Sequence, residues 1–201
     1  MSKKLKMLAR RAYCYVKYKK GNGNYNPTIV SSNCIGGVVS SDMGLKFLSP
    51  TINLYIVPKD FVKFCSKLEY YLKQQLKWMK EDMNCPVAML DDVTIYFLHY
   101  KTEEEAEMKW NERKTRVNYD NLYFIMTDRD GCTYEDLLNF DRLSGCKNKV
   151  VFTHKYYPEI KSAFYLKKFR KEGQVGVITK LKKFSWFRDL DEFDWRKFFN
   201  E

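Results

Sequence analysis

The stretch "NPTIVSSNCIGG" sets two hydroxyls, an amide and a thiol (Ser31, Ser32, Asn33, Cys34) directly before Gly36 and Gly37. A thiol or hydroxyl becomes a nucleophile when a base removes its proton, and the chain offers two bases, His99 and His154. With Asp128 as the orienting carboxylate, Cys34 and His99 compose the nucleophile, base and acid of acyl transfer. A second chemistry fits the same residues. Ser32 and Asn33 with the backbone amides of Gly36 and Gly37 can cradle a phosphate or carboxylate, since glycine lets a ligand approach the main chain. A third reading is an ordinary strand-to-helix turn, with Cys34 a small packed side chain. The chain contains neither G-x-S-x-G nor G-x-x-x-x-G-K-[ST], so the three stay open.

Other candidates lie further along. Lys109, Arg113 and Arg116 recur at spacings of four and three, which places three cations on one helical face able to grip an anion. The same pattern, acids first and cations last in "TEEEAEMKWNERKTRV", also compensates a helix dipole. Tyr100 sits beside His99. His154 precedes the polar "KYYPEIKS" and reads as a surface histidine, while "TDRDG" (Thr127–Gly131) reads as an Asx-type turn.

These residues need elements to hold them. Strand signals cover Thr28–Ser32, Ile52–Val57, Val93–Tyr100, Asn121–Thr127 and Lys149–Thr153. Helix signals cover Val38–Gly44, a long stripe from Asp60 to about Lys80, Thr102–Val117 with Thr102 and Glu105 in capping-box spacing, and Thr133–Leu143. "SAFYLKKF" and "QVGVITKL" flank Gly173 as a hairpin or edge strands, and an aromatic helix from about Trp186 to Phe199 closes the chain. The alternation predicts an α/β fold: a three-layer α/β/α domain over 28–201 around a mostly parallel, Rossmann-like sheet. In such a sheet the strands' carboxyl ends gather ligand-binding residues, and both histidines fall at strand ends.

The net charge of +11 is concentrated in residues 1–20, which hold eight cations and no acid, so the remaining body carries only +3. Leu5, Leu8, Ala12, Tyr15 and Val16 recur there at helical spacing, giving a basic amphipathic helix suited to anionic lipid; 21–27 reads as a linker turn. Charge confined to one tail, without a recognition motif, argues against nucleic acid. No stretch has the length of a signal core or a membrane span. Six scattered cysteines and two histidines show neither zinc spacing nor a disulfide framework. The expectation is a cytoplasmic chain with reduced thiols, no metal site and no identifiable cofactor, held at the inner face of the membrane by its basic head.

"SSNCIGG", "LKFLSPTINLYI", "KDFVKFCSKLEYYL", "IYFLHYKTEEEAEMKWNERKTRVN", "NLYFIMTDRDGCT" and "NKVVFTHKYYP" together resemble the bacterial domain family of unknown function nineteen-nineteen, labelled exopolysaccharide biosynthesis proteins. The resemblance implies work on capsule or surface polysaccharide without supplying a reaction. The expected activity is then transfer onto a sugar, a nucleotide-sugar-like molecule or a lipid-linked glycan bearing an anionic group. His99, Cys34 and Asp128 would be catalytic, and Ser32, Asn33, Gly36, Gly37, Tyr100, Arg113 and Arg116 would bind substrate or anion. The rival is a non-catalytic scaffold or regulator of a polysaccharide assembly complex. A pocket holding Cys34 beside His99 favours the enzyme, whereas both buried in packed core favours the scaffold.

Overall fold

The computed structural model describes residues 3–19, 23, 26–80 and 83–200; most of the expected linker at 21–27 lies outside them. Along the chain run α1 (Lys3–Cys14) with a π-turn (Tyr15–Lys19), β1 (Thr28–Ser31), α2 (Ile35–Met43), α3 (Pro58–Ser66), α4 (Leu68–Lys73), β2 (Lys77–Met79), β3 (Val87–Leu90) and β4 (Val93–Tyr96). There follow α5 (Glu103–Lys114), β5 (Leu122–Thr127), α6 (Tyr134–Arg142), β6 (Asn148–Thr153), β7 (Ala163–Tyr165) and α7 (Trp195–Asn200).

The expected α/β architecture is present. β1, β5, β6 and β7 form a four-stranded sheet in that order, every pair parallel. Strands such as "LYFIMT" are apolar at nearly every position because both faces of the sheet are covered. Val30, Phe124, Met126 and Val151 face a layer containing α3, α5 and α6, with Phe61, Phe64, Trp110 and Phe140. Their neighbours Ile29, Tyr123, Ile125, Val150 and Phe152 face α2 and the C-terminal segment, with Val39, Trp195, Phe198 and Phe199. Helix starts follow their caps: Thr102 accepts from the Glu105 amide at 3.2 Å, and Thr133 forms a full capping box with Asp136.

Five expected elements differ. "INLYIV" is not a strand; Ile52, Leu54 and Ile56 are buried alternately, but Asn53 takes φ 63° and bends the chain, leaving Tyr55 as an isolated bridge to Tyr96. The stripe from Asp60 to Lys80 breaks into α3 and α4, and its end becomes β2, which pairs with β3 and lays Trp78 against Phe97 at 5.2 Å. β4 is no member of the parallel sheet: it pairs antiparallel with β3 through a two-residue turn in which Asp91 takes φ 58°. The C-terminal hairpin is absent, since β7 pairs parallel with β6 and 174–181 contains no strand, and the closing helix contracts to α7 after a 3-10 turn at Asp189–Glu192.

α1 and its π-turn pack onto the body through Arg10, Cys14 and Tyr18 rather than through their apolar stripe. All three are buried, while Leu5, Leu8, Tyr15 and Val16 face outward. Arg10 sets the roll of the helix, because its guanidinium bonds Asp42 on α2 and Asp191 beyond the sheet. Among the described residues no helix is long and apolar enough to cross a membrane.

Candidate functional site

The turn after β1 is built by its own polar side chains. Ser31 Oγ donates to the Asn33 carbonyl at 2.6 Å and accepts the Gly36 amide at 3.1 Å. Asn33 Nδ2 donates to Thr127 Oγ1 at the end of β5 (3.1 Å), and its Oδ1 accepts the Ile35 amide (3.1 Å). Ser32 is buried; its amide and carbonyl bond Ile125 and Ile56. The Gly36 amide is therefore spent internally. A Cβ on Gly36 would lie 2.6 Å from Ser31 Oγ, so this glycine lets α2 close onto β1 rather than opening the main chain to a ligand. These bonds leave Cys34, at the N-cap of α2, as the chemically available member of the quartet.

His99 reaches Cys34 from the other sheet. The turn after β4 is fixed by the Tyr100 amide donating to the Phe97 carbonyl at 3.0 Å, and it carries an exposed imidazole over the carboxyl end of β1. Cys34 Sγ lies 3.3 Å from His99 Nε2. Burial pushes the Cys34 thiol above its ordinary value, opposed by its own backbone N–H, so the sulfur holds its proton until a base removes it.

The pair stands where two clefts meet. One, of about 520 Å³, runs between Tyr55, Leu98, Arg129 and the Gly176–Thr179 segment. The other, of about 620 Å³, has Gly37, Asn53, Arg113, Arg116 and Arg188 on its walls. Arg113 donates to the Ile52 carbonyl at 2.7 Å and to Tyr100 Oη, and forms no ion pair among the described residues. Arg116 pairs with Glu112 and Arg188 with Asp42. Tyr100 is buried beneath Arg113, so it supports that arginine rather than facing the cleft.

Asp128 does not join His99. It is buried, its Oδ2 taken by the His154 amide (2.6 Å) and His154 Nδ1 (2.5 Å), its Oδ1 by the Val175 amide (2.8 Å). It ties the ends of β5 and β6 to the segment that walls the first cleft. His154, expected at the surface, is buried with it. The structure thus brings Cys34, His99, Gly37, Arg113 and Arg116 around one space and leaves Ser32, Gly36, Tyr100 and Asp128 as its supports. Arg188, Tyr55 and 176–179 escaped the sequence reading, because nothing local in "FSWFRDL" or "QVGVITKL" marks a cleft wall. Among the described residues no three His, Cys, Asp or Glu side chains gather as metal ligands.

The family described as a domain of unknown function (DUF1919) matches residues 6–200. A Haemophilus influenzae protein described as uncharacterized is 43% identical over 177 residues, covering 88% of this chain and 85% of its own.

Proposed function

The chain belongs to the DUF1919 family, and from its cleft geometry we propose a group transferase that modifies a sugar or lipid-linked glycan bearing an anionic group, in exopolysaccharide or capsule assembly. The observation that carries this reading is the 3.3 Å approach of Cys34 Sγ to His99 Nε2 where two clefts meet. A thiol beside an imidazole in a cleft, rather than in packed core, favours catalysis over a scaffold role. His99 Nε2 takes the Sγ proton, and the thiolate attacks the carbonyl carbon of an acyl donor. The donor's leaving group departs with the proton returned from His99, leaving a thioester on Cys34. His99 then takes the proton of an acceptor hydroxyl, whose oxygen displaces Cys34 and regenerates the thiol. The arginine-lined cleft suits the anionic group of the glycan, since Arg113, Arg116 and Arg188 outnumber its one acid, Asp42, and Arg113 forms no ion pair among the described residues.

The test is glycan analysis of a producing strain carrying His99→Ala or Cys34→Ala. Loss of the general base slows such a step about 10²–10⁴-fold, so the modification should vanish in both. Unchanged glycan in the His99→Ala strain overturns the reading.

A further inference from the structure

We infer that the outer face of α1, together with the loop at 182–187, docks on an anionic lipid bilayer. This concerns a surface that includes neither Cys34 nor His99, and its failure would leave the chemistry proposed for them untouched. Leu5, Leu8, Tyr15 and Val16 are each more than half exposed. At about 100° per residue, positions 5, 8, 12, 15 and 16 fall within about a third of the helix circumference, so these side chains form one apolar stripe with Ala12. The burial of Arg10 between Asp42 and Asp191 holds the stripe outward, because rolling the helix would break both ion pairs.

Cations border the stripe on both sides. Lys4 and Arg11 follow it on one flank, around a groove they share with Met7 and Leu8. On the other, Lys6 Nζ donates to the Lys183 carbonyl and Tyr13 meets Phe187 edge-on at 4.9 Å, which fixes the loop against the helix. That loop projects Phe184, 82% exposed, with Lys183 Nζ 5.4 Å from its ring. The sequence from 3 to 19 contains no acid, nor does 180–188. An apolar centre with interfacial aromatics and cationic borders matches the headgroup boundary of an anionic leaflet. A second copy of the chain would set these cations against one another, and a nucleic acid would leave the apolar stripe unburied.

The experiment is co-sedimentation of the full chain with vesicles of phosphatidylcholine alone or mixed with phosphatidylglycerol, in low and high salt. Binding is expected only to the mixed vesicles and weakened by salt. The pair Leu8→Asp/Val16→Asp, and separately Phe184→Ser, should each lower the partition coefficient about tenfold or more. Met108→Asp, at an exposed position on α5, should leave it unchanged. Circular dichroism confirms that each variant keeps its fold, which exposed positions permit. Equal pelleting with both vesicle types, or wild-type binding by Leu8→Asp/Val16→Asp, overturns the inference. So does a concentration-dependent dimer abolished by those substitutions, which would assign the face to a second copy.

Discussion

Two influences oppose each other at the Cys34 sulfur: burial raises the thiol's affinity for its proton, and the backbone N–H of the same residue lowers it, with burial the larger. A raised value means the proton stays on to higher pH, so the thiolate population at neutrality is smaller than for an exposed cysteine. Nucleophilicity at neutral pH then depends on His99 taking the proton as the bond forms. In native protein, iodoacetamide alkylation of Cys34, followed by mass spectrometry, should keep rising past the ordinary thiol midpoint of about 8.5. At neutral pH His99→Ala should slow it. A plateau well below pH 8 would instead identify a resting thiolate–imidazolium pair and contradict the neutral dyad. Cys14, buried and pushed up to about 12 by that burial, should stay unmodified until the protein unfolds and serve as an internal standard.

Adjacent glycines at the start of α2 do different work, which shows what a motif alone conceals. On Gly36 a Cβ would meet Ser31 Oγ at 2.6 Å, Ser31 Cβ at 3.1 Å and Ile29 Cγ2 at 3.2 Å, and moving the serine breaks the bonds that shape the turn. Gly36→Ala should cost about 1–3 kcal/mol by overpacking. On Gly37 the nearest contact would be Ile52 Cγ2 at 3.8 Å, so Gly37→Ala should be neutral or gain about 0.5–1 kcal/mol of helix propensity. Urea denaturation of the two variants checks the contrast; equal effects would refute close packing at Gly36. The pair is visible in the sequence but the difference is not, because it lies in how near β1 runs. Elements with their own caps or both faces buried, α5 and β5 above all, were legible locally. β2 was not: Leu76 and Met79 continue the helical spacing begun at Phe61, and only pairing with β3 decides for strand. The site was legible to the same extent. Cys34 and His99 follow strands, as expected, yet they meet because a separate antiparallel sheet swings His99 across. Asp128 pairs with His154 because β6, its neighbour in register, ends beside it.

Across the whole molecule, the two ends of the chain are locked through one buried cation. Arg10, 2% exposed, joins α1 to Asp42 on α2 and to Asp191 near the C-terminus, and Arg188 meets the same Asp42. Tyr18 and Lys17 add bonds to Asp191. Residues 1–20 read as an amphipathic head whose cations face anionic lipid, yet this one cation faces inward. Desolvating a guanidinium is costly, and the two carboxylates repay that cost only while the geometry holds. Truncating the cation leaves Asp191, 5% exposed, without its strongest partner. Arg10→Ala should therefore lose about 3–5 kcal/mol of unfolding free energy, a loss that salt barely screens because the pair is shielded from solvent. Arg11→Ala, one residue on and exposed, should change stability by less than about 0.5 kcal/mol. Urea unfolding followed by circular dichroism separates these outcomes. Equal, small losses for both would mean that α1 hangs free of the body, and the outward orientation of its apolar stripe would lose its structural cause.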